Sequence, residues 1–398
     1  MTAGTQPAAG PAPAARATRA PGGMAAGQRP FRWDSAVGFR GAEFLTFGAH
    51  YFGADTRRVV LIAGAGFDPR APRLAEHLAR WAPSRVSAVF VREERPIPDP
   101  LLRALADEHA ARIRAAIPNL TEQTLTIFDP TDLAVVGGRQ AANLVRTIPL
   151  AGTTDVVVDL SALSVGTSFP LVRALLQLAA EHRFNLHTTV VADAALDATI
   201  LPQPAETATA IHGFRGELGM DRRADAAKLW LPQLAFGRRE LLDRVHAELG
   251  PHDTCPILPF PAHDPRVGDQ LVDEYLPALM GAWDVDPRNI IYAAEDDPLD
   301  VYRTILELDD ARRPVFDGDG GSLCVLSPAG SKVLGLGALM AATERDFPIL
   351  HVEAVGFIAD AAALREYTDA HGAFAHVWLA GDPYTVAAPA APAGPISP

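Results

Sequence analysis

No apolar run in this sequence is long enough to span a bilayer, and no secretory-type hydrophobic segment opens it. Cysteine is nearly absent. Cys255 and Cys324 both lie in apolar, strand-like runs, the setting of buried, inert thiols in a reducing cytosol. No Cys or His cluster has zinc spacing, so no metal is expected. Basic charge is also short: 35 Lys and Arg face 48 Asp and Glu, a formal net charge of -13. Such a surface repels nucleic-acid backbones, which disfavours general DNA or RNA binding and allows at most a local basic pocket. Lysine is confined to Lys228 and Lys332. The sequence has no GxSxG, HExxH or CxxC, and the pairs His182/His187 and His371/His376, five apart, read as chance spacing. A soluble cytoplasmic protein without membrane association is expected.

What is present is ordinary globular material. Apolar residues make up 48% and charged residues 21% of 398 positions, enough for two domains with their own cores. Residues 1–30 hold Ala, Pro, Gly and Arg without an acidic side chain. They read as a disordered tail rather than an organelle transit peptide, because they lack an amphipathic period. Residues 387–398 read the same way. The Phe- and Gly-rich segment from Phe31 to Phe52, with Trp33, predicts an opening helix against the first sheet.

Between the tails lies an internal repeat. Five β-type runs, each leading to a helical stretch, begin at Val59, Val86, Thr124, Asp155 and Leu186. Five more begin at Leu229, Cys255, Asn289, Ser322 and Ile349. Matching members are offset by roughly 165 residues, the trace that duplication leaves. The runs are continuously apolar rather than alternating, as in parallel strands covered on both faces by helices. The expected fold is therefore α/β: two tandem doubly wound, Rossmann-like parallel-sheet units (31–215 and 216–386) forming a pseudo-dimer. With strand order 3-2-1-4-5, ligands bind where the winding reverses, at the loops after each unit's first and fourth strands.

After the first strand, Gly64, Ala65 and Gly66 permit close backbone approach to a phosphate, and Arg70 could attract one. Pro69 replaces the third glycine of a dinucleotide fingerprint, and no GxxxxGK[ST] follows. Asp68 before Pro69 reads as a helix cap. After the fourth strand, Ser161, Ser164, Thr167 and Ser168 cluster where hydroxyls and free amides suit an anion, or where Thr167 or Ser168 caps the helix. In the second unit, Gly237, Arg238 and Arg239 follow the first strand, and Ser327, Gly330, Ser331 and Lys332 follow the fourth. A lysine in a first helical turn opposes the macrodipole, and neutralising a bound phosphate would explain it. The connecting segment TAIHGFRGELGMDRR, with His212 and Arg215, reads as a mobile loop near the cleft.

In layout, with GAGFD and SALSVGTS in the first unit and FGRRE and SPAGSK in the second, the chain resembles the CARF and SAVED families of bacterial antiviral sensors. The resemblance implies that facing loops hold a nucleotide-type, phosphate-bearing messenger and that a separately encoded effector responds. Two other readings stay open. One is a hydrolase on the same cleft, a phosphodiesterase or NAD glycohydrolase, and the other is an interaction scaffold.

Overall fold

Val59–Gly64 reads VVLIAG, and all six residues are buried. A strand with no solvent face needs cover on both sides, and the chain supplies it by following each such strand with a helix. In the computed structural model, residues 31–214, 226–316, 320–368 and 371–384 are described. The two tails, Arg215 and the glycines after it lie outside the described residues.

The first half runs β1 (Gly38–Arg40), α1 (Gly41–Tyr51), β2 (Val59–Gly64), α2 (Arg73–Trp81), β3 (Val86–Glu94), α3 (Pro100–Ala116), β4 (Leu120–Thr126), α4 (Gly137–Val145), β5 (Asp155–Asp159), α5 (Val165–His182), β6 (Asn185–Ala192), α6 (Ala194–Thr199), β7 (Leu201–Pro204) and β8 (Thr209–Ala210). The second runs β9 (Ala227–Pro232), α7 (Arg239–Leu249), β10 (Asp253–Thr254), β11 (Ile257–Pro259), α8 (Val267–Leu279), β12 (Ile291–Ala293), α9 (Pro298–Phe316), β13 (Ser322–Ser327), α10 (Lys332–Arg345), β14 (Leu350–His351), β15 (Ala354–Ile358), α11 (Ala361–Arg365) and β16 (Ala373–Ala380).

The seven-stranded sheet has the order β1-β16-β6-β5-β2-β3-β4. Its five central and right-hand members, β4, β3, β2, β5 and β6, are parallel and follow the order 3-2-1-4-5. This is a Rossmann-like α/β fold. In the second half, β9 pairs in parallel with β10 and β13, and β11 pairs in parallel with β12. Parallel bridges Gln233–Ile257 and Leu326–Ile349 carry the pattern outward to β11 and to the approach to β14. The same order thus recurs with shorter strands. Pro256, which lacks an N–H, separates β10 from β11 and interrupts the ladder.

The halves exchange strands. β7 pairs with β15 and β8 with β14, both antiparallel, and the C-terminal β16 returns to lie antiparallel between β6 and β1. Residues from Trp33 onward form one compact unit. The described residues before 215 and after 225 therefore belong to one compact unit rather than to separable bodies. The expected opening helix is shorter than 31–52, because β1 precedes α1. Trp33 is fully buried, with its indole N–H donating to Leu379 O at 2.9 Å. No helix among the described residues is long and apolar enough to cross a membrane.

Candidate functional site

Parallel order fixes where the turns go. Those after β2, β5, β9 and β13 all emerge at the carboxyl ends of their strands, at the two points where the winding reverses. They meet around a cavity of 210 Å³, lined among others by Gly66, Ser164, Arg238 and Lys332, one residue from each turn. A second cavity of 410 Å³ lies beside it, lined mainly by apolar side chains such as Phe169, Phe236, Leu271 and Leu334. Leu163, Ser164, Asp197, Arg238, Lys332 and Phe357 line both, so they form the wall between the cavities.

Several expected ligand groups are committed to structure. Arg70 is almost wholly buried, and its guanidinium donates to Asp68 Oδ2 at 2.7 Å, Asp197 Oδ1 at 2.8 Å and Val191 O at 3.2 Å. Burial works against both charges, but the pairing wins: the Asp68 carboxyl is held below its ordinary value and Arg70 is raised well above its own. Asp68 does not cap α2, whose N-cap is Pro72. The oxygen of Ser161 is shared between Asp159 Oδ1, 2.6 Å away, and the amide of Val191 at 2.8 Å. Ser327 likewise accepts from Trp230 Nε1 at 2.9 Å and donates to Leu350 O at 2.9 Å. A side chain on Gly64 would put its Cβ 2.5 Å from Ala162 O, so this glycine serves close packing of two turns.

The start of α5 differs from the expectation of an open anion site. Ser164, not Thr167 or Ser168, is its N-cap, and those two are buried. Its amide and hydroxyl donate to Glu93 Oε1 at 3.0 and 2.8 Å, so an internal carboxylate already occupies the positive end of the helix. Arg95 holds that carboxylate in place. It bonds Glu93 Oε2 and Glu353 Oε1, both at 2.8 Å, and lies 5.1 Å from the Phe357 ring centroid. A Cβ at Gly166 would meet Glu353 Oε2, so glycine is what lets this carboxylate approach the helix.

In the second half, Ser331 caps α10 by accepting from the Leu334 amide at 3.3 Å, and Gly330 lines the larger cavity. Gly237 adopts φ 68°, with its amide on Glu274 Oε1 at 2.9 Å, and Arg239 faces outward to Asp243 at 3.5 Å. Neither reaches the cavities. Lys332 and Arg238 do. Lys332 Nζ donates to Leu163 O across the halves. Desolvation and neighbouring Arg70 pull its ammonium below the ordinary value, against Asp197 and Asp68. Arg238 Nη2 donates to Ile200 O at 2.8 Å, while its Nη1 is buried without a hydrogen-bond partner among the described residues.

Two buried arginines divide the carboxylates around this wall between them. Arg70 serves Asp68 and Asp197, and Arg95 serves Glu93 and Glu353, two cations against four carboxylates. Lys332 and Arg238, which make no carboxylate ion pair among the described residues, add two further cations to the wall. Glu93, Arg95, Asp197 and Glu353 were not singled out from the sequence.

Far from the cavities, at the amino end of β5, a buried chain of polar groups joins three strands. His187 Nδ1 lies 3.0 Å from His376 Nε2, and His187 Nε2 lies 3.2 Å from Asp155 Oδ1. Burial lowers both imidazoles, so they are neutral at pH 7. The spacing within each sequence pair means nothing, but one histidine of each pair meets the other.

No family model matches the chain, and no curated protein matches it. Among solved structures, the cytoplasmic domain of a prokaryotic cation chloride cotransporter overlaps 78% of this chain and 99% of that one. Identity is 10% and the TM-score 0.22, too loose an overlap to bear on fold or function. The class is therefore defined by strand order alone: a Rossmann-like α/β protein with its cavities at the topological switch points.

Proposed function

We propose that this cleft binds a nucleotide-type, phosphate-bearing small molecule and that the protein is a cytoplasmic sensor or regulator, its two Rossmann-like halves acting as a pseudo-dimer around the ligand. The observation that carries the reading is the meeting of all four switch-point turns at one cavity, with Lys332 and Arg238 in the wall it shares with a larger apolar one. Concave, mostly apolar space with a few convergent polar groups is what small-molecule sites are made of. Ser331 is occupied as a cap, which leaves Lys332 as the phosphate partner. Antiviral signalling through a separate effector follows from the resemblance to CARF and SAVED sensors and extends this reading.

The test is calorimetry and thermal unfolding of the full chain with a nucleotide panel, with chromatography of the mixture afterwards. Stabilisation without a new product supports a sensor, whereas a new product makes the cleft that of a hydrolase. Lys332→Ala should weaken nucleotide binding by about 1–2 kcal/mol, the loss of one charged hydrogen bond. Unchanged affinity would remove Lys332 from the site.

A further inference from the structure

Helix α10 carries a glycine where local physics argues against one. Glycine is the poorest helix former after proline, so a buried glycine inside a helix normally marks a close neighbour. Gly337 is that case: a Cβ there would collide with Pro298 O and lie 2.7 Å from Val301 Cβ of α9. Gly335 is buried in the same helix and has no such reason. Apart from its chain neighbours and the helix backbone, no atom of the described residues lies within 4 Å of where its Cβ would stand. Gly335 lines the 410 Å³ cavity, so the room a side chain would take there is the cavity's own.

The walls of that cavity are mainly apolar, with Phe169, Phe236, Leu241, Leu271, Leu334 and Phe357 among them. Polar groups on its lining are largely engaged within the protein. Glu295 Oε2 accepts the His263 amide at 2.8 Å, Asp264 pairs with Arg266 at 3.1 Å, and Ser331 caps α10. Lys332 and Arg238 stand in the wall shared with the smaller cavity. Protein interiors pack to the density of organic crystals, and a cavity of this volume is far from that norm. We infer that the larger cavity is a binding site for an uncharged hydrophobic small molecule, held by burial and dispersion rather than by hydrogen bonds. An apolar cavity of about 150 Å³ already takes a benzene ring, so the space here suits a body of about two aromatic rings. Glycine at 335 keeps that volume available, where alanine or leucine would make a better helix and take up part of it. The site goes beyond the nucleotide reading and does not depend on it.

The experiment titrates the full chain with N-phenyl-1-naphthylamine, an uncharged aromatic probe whose fluorescence rises in apolar surroundings. The wild type should show one saturable site per chain. Affinity should fall stepwise through Gly335→Ala to Gly335→Leu, by about tenfold or more for leucine, as the substituted side chain takes the probe's place. The thermal midpoint should hold or rise along the same series, because each substitution favours the helix and fills space. Absence of saturable binding by the wild type would overturn the assignment. So would a Gly335→Leu chain that is folded by circular dichroism and binds the probe as tightly as wild type. Should the leucine variant not fold, alanine decides: a weaker complex supports the site, and unchanged affinity overturns it. The nucleotide panel is titrated alongside. Binding of the probe but of no nucleotide leaves this site standing and removes the nucleotide reading, and binding of a nucleotide alone does the reverse.

Discussion

Replacing Arg95 by methionine isolates the charge that ties the two halves together at the cleft. The Arg95 side chain is 7% exposed, and its partners Glu353 and Glu93 are 4% and 12% exposed. Methionine keeps most of the apolar stem, so the loss is of charge rather than volume. Breaking a buried pair by removing one member strands the other and costs about 3–5 kcal/mol. The pH dependence has a definite sign. Burial raises the Glu353 carboxyl, but Arg95 outweighs it and holds the group below its ordinary 4.5. In the wild type that contribution is present above the unfolded value and lost as pH falls through the lowered one. Without Arg95, burial is opposed only by His351 and the Ala354 amide, so the carboxyl should rise and the variant recover stability as pH drops from 7 towards 5. Urea unfolding followed by tryptophan fluorescence at pH 7 and pH 5 measures both effects. A deficit below about 1 kcal/mol, the scale of an exposed pair, or one that does not shrink at pH 5, would refute the reasoning.

Asp159 offers the opposite sign. Burial lifts its carboxyl to about 6 despite two hydrogen bonds from Ser161, so its ionisation opposes folding above that pH and ceases to do so as pH falls through it. The stability of Asp159→Asn relative to wild type should therefore improve by about 1–2 kcal/mol between pH 5 and pH 8 in urea unfolding, and a constant difference would contradict the assignment. For the cleft, Lys332 as the phosphate partner means that a dianionic phosphate is held more strongly than a monoanion. AMP should therefore bind several-fold more tightly at pH 7.5 than at pH 5.5, because the second phosphate pKa is about 6. The methyl phosphodiester of AMP, which does not titrate there, should change less in the same calorimetry, and an equal change in both would assign the effect to the protein.

The parallel strands were legible because their cause is local. A run such as Val156–Val158 is buried on both faces, and the sequence shows it as unbroken apolar residues between turn signals. The return of β16 was not legible, although Phe374 to Ala380 is apolar apart from His376. Its partners in β6 lie nearly two hundred positions away, with Val377 opposite Thr188, and no local feature marks which sheet it will join. β1 was hidden for the same reason, being three residues long and paired only with β16.

The site divides along the same line. Topology alone brings the four turns together, so reading strand order was enough to predict that Gly66 and Lys332 share a cavity. Which hydroxyl or guanidinium is free once the turns meet depends on tertiary pairing. Arg70 and Arg238 look alike in sequence, each an arginine shortly after a first strand. Arg70 finds Asp68 two residues back and Asp197 across the fold, and is spent on them. Arg238 lies beside the same Asp197, whose Oδ1 is held by Arg70, and keeps one nitrogen without a hydrogen-bond partner among the described residues. The difference between the two arginines therefore lies in which of them holds a single shared carboxylate, a tertiary fact that neither local sequence carries.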